Sequence, residues 1–341
     1  MSDHAAERAP GSAAPRNRRA AWTLLLLTPL IAELALGSTP IRMAWLVLLW
    51  IPIYGAGALL IRELVVRCGR GWPSILLLAL AYELLEDGIG LQALTSPHLY
   101  DAADWGLRVF GFNAPYWEAN VIYHAVFTLA VPIALTDLLF PRHRGRPYLG
   151  RTGLVVCAVV ALLGVGVLRG SVPPQEDPGY QAPLAFVLGC LVAVLAIGVV
   201  ALRLVPRAQQ TRESPGTVEV APRVWLFCGA GLGTLVFFAL TFPMFGATQP
   251  AFTHGPVVVV PMLASAALAA ASYLIVRRMA ASPEWTERET LALIAGALIG
   301  HSIGGLATVA HTTVDRIGLV AIVAVTGLAM WRLDQRLLER R

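Results

Sequence analysis

The sequence has no lysine: all 26 of its basic residues are arginine. It has little charge of either sign, with Asp, Glu, Lys and Arg making up 14% of 341 residues against 57% hydrophobic. That deficit excludes an ordinary soluble domain, in which about a quarter of the residues are charged, and the mean hydropathy of +0.66 points to lipid. Cysteine is scarce as well. Cys68, Cys157, Cys190 and Cys228 lie in separate segments with no Cys-x-x-Cys spacing, which excludes a zinc ribbon or a redox pair and leaves them as small buried apolar residues. There is no His-Glu-x-x-His, and no second histidine stands at ligand spacing from His124, so neither a metal centre nor a cofactor is expected. A net charge of +5 would suggest nucleic acid in a soluble protein. Here the arginines fall in short connections between apolar runs, where they set topology, and no nucleic-acid partner is expected.

What is present is a succession of apolar runs, many close to the roughly 20 residues that cross a bilayer. They read as Trp22 to Leu36, Met43 to Ile61, Trp72 to Leu94, Tyr116 to Phe140, Gly153 to Leu168, Pro183 to Leu202, Val224 to Phe242, Val257 to Val276, Leu291 to Ala310 and Ile317 to Met330. The expected fold is therefore all-α, a polytopic transmembrane helical bundle of about ten spans. Arginine clusters occupy alternate connections: Arg16 to Arg19, then Arg62, Arg67 and Arg70, then Arg142 to Arg151, Arg203 to Arg223, Arg277 to Arg288 and Arg332 to Arg341. Only Arg42, Arg108, Arg169 and Arg316 fall on the other side. Cytoplasmic loops hold the arginine excess, so both termini are expected in the cytoplasm.

Composition divides the chain further. Residues 1–20 read as a disordered basic tail, 21–205 as an N-terminal membrane half of six spans, 206–222 as a polar cytoplasmic linker, and 223–341 as a C-terminal half of four spans with a short basic tail. Small residues at Ala35-Leu36-Gly37 imitate a signal-peptidase site, but Pro29 and Glu33 interrupt the apolar region that such a signal requires. The loop 95–115 mixes aromatics, acids and turn residues and suits a structured cap at the interface. No internal repeat relates the halves.

The third run, WPSILLLALAYELLEDGIGLQAL, organises the rest. Glu83, Glu86 and Asp87 lie three and four apart and share a helix face, at a depth where ionisable groups are expensive and turn inward to a site or cavity. In the fourth run Asn120 and His124 also share a face. At about 1.5 Å of rise per residue, Asp87 and His124 each stand roughly 6 Å outward of the middle of their spans. Glu33 falls at a comparable depth. Glu33, Glu83, Glu86, Asp87, Asn120 and His124 are thus expected to converge in one cavity open to the non-cytoplasmic side, with His301 as a contributor from the ninth span. Like charges packed this closely cannot all ionise bare, so a proton or a cation is expected among them.

Three functions compete. A transporter or channel-like protein would use the acidic pocket for a cation, a proton or a small basic solute. An intramembrane enzyme would use His124 with Glu83 or Glu86 as acid and base. A structural or assembly protein would need the cluster only to fix helix register. Elsewhere, Arg62 and Glu63 are expected to anchor one end of the second span, and Asp137 to meet an arginine between Arg142 and Arg151. Gly296, Gly300 and Gly304 form a small-residue ridge for helix packing. Pro29, Pro52 and Pro132 should kink their helices.

From about Tyr54 to Gly150, the runs GAGALLIREL, GRGWPSILLLALAYELLEDGI and YHAVFTLAVPIALTDLLFP followed by an arginine-rich loop resemble multi-pass membrane proteins of GC-rich, actinobacterial-type bacteria whose function is uncharacterised. The resemblance implies a bacterial plasma membrane location and no activity. Glu86-Asp87 also resembles the acidic pair of CPBP-type intramembrane proteases. That pattern departs here at Leu91, where the family has arginine, and in Asn120-x-x-x-His124, which reverses its His-x-x-x-Asn order.

The arginine alternation is directly testable. Reporter fusions at Gly145 and Gln209 should read cytoplasmic, and fusions at Asp101, Glu176 and Gln249 should not; a single reversed reporter breaks the topology.

Overall fold

In lipid, backbone polar groups are satisfied only in helices or closed β-barrels, and runs this long and continuously apolar select helices. The computed structural model describes residues 17–100, 106–208, 219–241 and 255–340. Ten helices run through these described residues: α1 (18–34), α2 (Ile41–Arg67), α3 (72–90), α4 (Ala114–Leu139), α5 (Arg151–Glu176), α6 (Leu184–Leu204), α7 (Arg223–Thr241), α8 (Pro256–Ala280), α9 (Glu287–Thr308) and α10 (Thr313–Glu339). Eight are long and apolar enough to cross a membrane. The other two are α1, which is short, and α3, whose apolar run holds Glu83, Glu86 and Asp87.

Several boundaries differ from those expected, with α2 running on to Arg67 and α5 to Glu176. Arg18, Arg19 and Ala20 already belong to α1, capped by the Asn17 side chain accepting from the Ala20 N–H, and α10 continues through the basic C-terminal stretch to Glu339. Residues 1–16 of the tail, 209–218 of the linker and 242–254 of the loop before α8 lie outside the described residues. In the loop after α3, residues 101–105 also lie outside them, and the rest is structured. A two-residue hairpin pairs Arg108–Val109 with Phe112–Asn113, and Asn113 caps α4 by accepting from the Tyr116 N–H. Buried Gln92, at φ 61°, accepts from the Ala182 N–H at 2.6 Å, and Ser96 donates to Asp177 at 2.6 Å. These contacts tie the α3–α4 loop to the α5–α6 loop.

Burial sorts the helices into inner and outer. In their apolar windows α4 and α9 are 67% and 61% buried, whereas α6 and α10 are 11% buried and turn Leu, Val and Ile outward, as lipid contact requires. One apolar core gathers side chains from α1 to α6; a second joins α1 and α4 to α7, α9 and α10. α4 belongs to both, and α3 is enclosed by α2, α4, α5 and α6.

The helices of the first half are not regular. π-helical turns occupy Leu30–Leu34, Ile51–Gly55, Leu84–Gly90 and His124–Ala130, with a fifth at Val200–Leu204. Proline explains three of them, because a ring without an N–H cannot keep the i→i−4 ladder. Pro29 immediately precedes the turn in α1, Pro52 lies within that in α2, and Pro132 follows that in α4. The Ala35 N–H accordingly reaches back five residues to the Leu30 carbonyl (2.9 Å), and the Leu91 N–H to Glu86 (2.7 Å). Arg169 of α5 donates to the Ile89 carbonyl at 2.7 Å, satisfying an acceptor near the end of α3.

At the opposite end a buried guanidinium fixes α2 against α4. Arg62 donates to Asp137 at 2.9 Å and to the carbonyls of Arg146 and His143, with its guanidinium carbon 3.4 Å from the centre of the Tyr148 ring. Glu63 accepts from the Tyr148 and Leu149 N–H groups and from Arg67. Asp137 therefore pairs with Arg62 rather than with an arginine of 142–151. The connecting loop contributes backbone carbonyls and the Tyr148 hydroxyl to this network, and Asp137 accepts from that hydroxyl as well.

The glycine ridge lets α7 and α9 touch backbone to backbone. A Cβ on Gly296 would stand 2.0 Å from the Phe227 carbonyl oxygen, one on Gly300 2.5 Å from that of Gly231, and one on Gly304 2.5 Å from the Phe238 ring. Ion pairs staple the ends: Arg223 with Glu289, Arg288 with Asp334 through two bonds, and Arg42 with Asp315. Gly300→Leu should lower folded yield and thermal stability, costing about 1 to 3 kcal/mol or more from overpacking. Gly327→Leu, where a Cβ meets nothing within 4 Å, should leave both unchanged. Equal stability of the two variants in a detergent melt would contradict the close approach.

Candidate functional site

The four π turns of α1 to α4 hold Glu33, Tyr54, the pair Glu86 and Asp87, and His124 respectively. π turns inside helices are rare and concentrate at functional sites. Here they converge on one group of side chains. The imidazole of His124 lies between two carboxyls of α3, with Nε2 3.6 Å from Glu83 Oε2 and Nδ1 3.6 Å from Glu86 Oε2. Asp87 completes the group: ligand-type atoms of Glu83, Asp87 and His124 all lie within 4.8 Å of one another. Glu83, Glu86, Asp87 and His124 are each 4% or less exposed, so the expected cavity opening to one side is closed in this structure.

Donors are few around these carboxyls: the buried Tyr54 and Tyr82 hydroxyls face Glu86, and none among the described residues faces Glu83. Among the described residues no hydrogen-bond partner reaches either carboxylate oxygen of Glu83, Oε2 of Glu86 or Oδ2 of Asp87. Carboxylates accept only, so Glu83 and Asp87, side by side, offer each other nothing without a proton or a cation between them. His124 is better held. Its Nδ1 stands 2.9 Å from the Thr128 hydroxyl, and its ring packs against Tyr54 (6.1 Å between centroids), Tyr82 (5.5 Å) and, edge on, Tyr123 (5.4 Å).

The remaining expected members sit around this group. Glu33 lies at its rim, where Oε2 accepts from Ser38 and Thr39, each at 2.9 Å, and it faces the Tyr54 hydroxyl, which also faces Glu86. Asn120 is not drawn in: its Nδ2 donates to the Tyr116 carbonyl one turn back at 3.0 Å. His301 is fully buried but one layer away, its Nε2 3.1 Å from the Tyr123 hydroxyl and its ring stacked on Phe127 at 4.2 Å. Tyr123 in turn donates to the Ala32 carbonyl, linking α4, α9 and α1 behind His124.

Sequence reading passed over Tyr54, Tyr82, Tyr123 and Thr128. Thr128 had a signal, since it stands four residues after His124 on the same helix face. The tyrosines had none, because a tyrosine in an apolar run is ordinary.

Residues 23–331 match the Uncharacterized membrane protein family. The chain belongs to that family. The match runs from α1 into α10 and includes every residue of the site. No curated protein and no solved structure matches the chain.

The two buried ionic groups should respond oppositely to neutralisation. Glu83→Gln places an amide donor beside Asp87, so the variant should melt at or above the wild-type temperature. Asp137→Ala removes the acceptor shared by Arg62 and the Tyr148 hydroxyl, with Glu63 still 3.7 Å from Arg62, and should cost about 1 to 3 kcal/mol. Thermal unfolding of both variants in detergent checks this, and a Glu83→Gln protein as damaged as Asp137→Ala would make the acidic cluster structural.

Proposed function

We propose that the protein is a membrane transporter in which Glu83, Glu86, Asp87 and His124 hold a proton or a cation in an occluded site. The observation that carries this reading is Glu83, a fully buried carboxyl whose oxygens meet no donor among the described residues and whose hydrogen-bonding neighbour, Asp87, is a second carboxyl. A cluster needed only to fix helix register would have its acceptors satisfied, as nearly all buried polar groups are. Among the described ion pairs only His124 approaches Glu83 and Glu86. The balance has to come from a bound positive charge. With every member so little exposed, a proton or a single ion fits the site better than an organic solute.

Transport also needs access to alternate, and the π turns supply a means. Each holds its helix one residue out of α-helical register beside an ionisable or tyrosine side chain. A shift between π and α hydrogen bonding turns that side chain about the helix axis at modest cost. Ten spans with both termini cytoplasmic, in a bacterial plasma membrane, complete the proposal; the arginine alternation and the arginine-only basic set support it. The Arg62 network then faces the cytoplasm and the Gln92 loop the other side. The hydrolase reading is weaker, since Glu83, Glu86 and His124 are each 4% or less exposed and leave no opening for a substrate bond.

Purified protein in liposomes containing a pH-sensitive dye tests the reading. Gradients of sodium, potassium, magnesium, manganese or zinc, or of protons alone, should drive a flux that Glu83→Gln and Glu86→Gln each reduce by at least about tenfold. Absence of flux with every ion and with protons, or wild-type flux in both variants, overturns it.

A further inference from the structure

We infer that the occupant of this site is a divalent transition-metal ion, bound by Glu83, Asp87 and Nε2 of His124. The inference rests on the proposed cation site and names its ligand class. Three observations carry it.

The first is the donor set. One imidazole nitrogen and two carboxylates suit ions such as zinc or manganese, whereas magnesium and calcium prefer oxygen alone. The 3.6 Å from His124 Nε2 to Glu83 Oε2 is close to the edge of about 3.4 Å that bonds of about 2.1 Å make at a tetrahedral angle. Asp87 offers a carboxylate oxygen within 4.8 Å of both and is the third ligand of the triangle.

The second is orientation. Nδ1 of His124 stands 2.9 Å from the Thr128 hydroxyl. With the proton on Nδ1, donated to Thr128, Nε2 presents its lone pair towards Glu83. Outer hydrogen bonds of this kind fix the tautomer of metal-binding histidines. The unpartnered oxygens of Glu83 and Asp87 are buried and available on the same side.

The third is charge. Ionised Glu83 and Asp87 neutralise a divalent ion in full, which a buried site requires. Glu86 stays outside the ligand set, 3.6 Å from Nδ1, and faces the Tyr54 and Tyr82 hydroxyls.

Full-length protein purified in detergent, stripped with a chelator and returned to chelator-free buffer, is titrated with zinc, manganese, magnesium and calcium chlorides by calorimetry. Zinc or manganese should bind with a stoichiometry of one per chain and at least about tenfold more tightly than magnesium or calcium. His124→Ala and Glu83→Gln should abolish that binding. Thr128→Val, which removes only the orienting hydroxyl, should weaken it about 10- to 100-fold. Should a variant fail to fold, the selectivity series on the wild type and the binding of a second, folded variant still decide. Equal binding of all four ions, undiminished binding by the folded variants, or no binding of zinc and manganese overturns the metal assignment. Proton or sodium flux surviving in liposomes without metal binding would leave the cation site standing with a different occupant, and loss of both would remove the site itself.

Discussion

A carboxylate cannot be left bare among hydrocarbon, and that constraint governs how the first six helices are arranged. α3 carries three of them and would insert and pack poorly against lipid. The bundle therefore encloses it, with α2, α4, α5 and α6 around it and the apolar outer faces of α5 and α6 turned to the bilayer. Enclosure removes water as well as lipid. The four ionisable side chains at the centre must find their partners in one another or in something that arrives.

The backbone yields at the same place. Proline and the π turns are cause and effect in α1, α2 and α4: a missing N–H interrupts the ladder, the bonding shifts by one residue, and side chains that a regular helix would spread over different faces are brought to a common centre. Within α3, Gly88 and Gly90 lie in the π turn and leave room for Cys190 and Leu168 from the neighbouring helices. Packing of α5 and α6 onto α3 is thus fitted to the same irregularity that positions Glu86 and Asp87.

Two buried ionic groups in this molecule show opposite solutions to one problem. Around Arg62, two carboxylates, several backbone groups and an aromatic ring surround one guanidinium, so that the end of the bundle is locked. Around His124, three carboxyls of α3 share one imidazole and several acceptors are left over. The first leaves one buried donor, Arg62 Nε, unpartnered among the described residues and acts as an anchor; the second leaves four carboxyl oxygens so, and that difference supports the proposed function.

The sequence by itself determined what depends on composition and local spacing. Apolar length placed ten helices, with boundaries off where polar or basic residues extend them: at the start of α1 and the ends of α2, α5 and α10. The three- and four-residue spacings in α3 put Glu83, Glu86 and Asp87 in one buried group, and depth counting brought His124 to them. The glycine spacing in α9 located a true close approach. Tertiary structure decided the rest, because it depends on which helix faces meet. It closed the cavity, left Asn120 to its own helix, set Glu33 at the rim and His301 one layer back behind Tyr123, and gave Asp137 to Arg62. It also brought Glu83, Asp87 and His124 within 4.8 Å of one another, the arrangement on which the proposed metal site rests. A motif search reads ligands along one segment, whereas here two come from α3 and one from α4, and only packing can measure the distance between them.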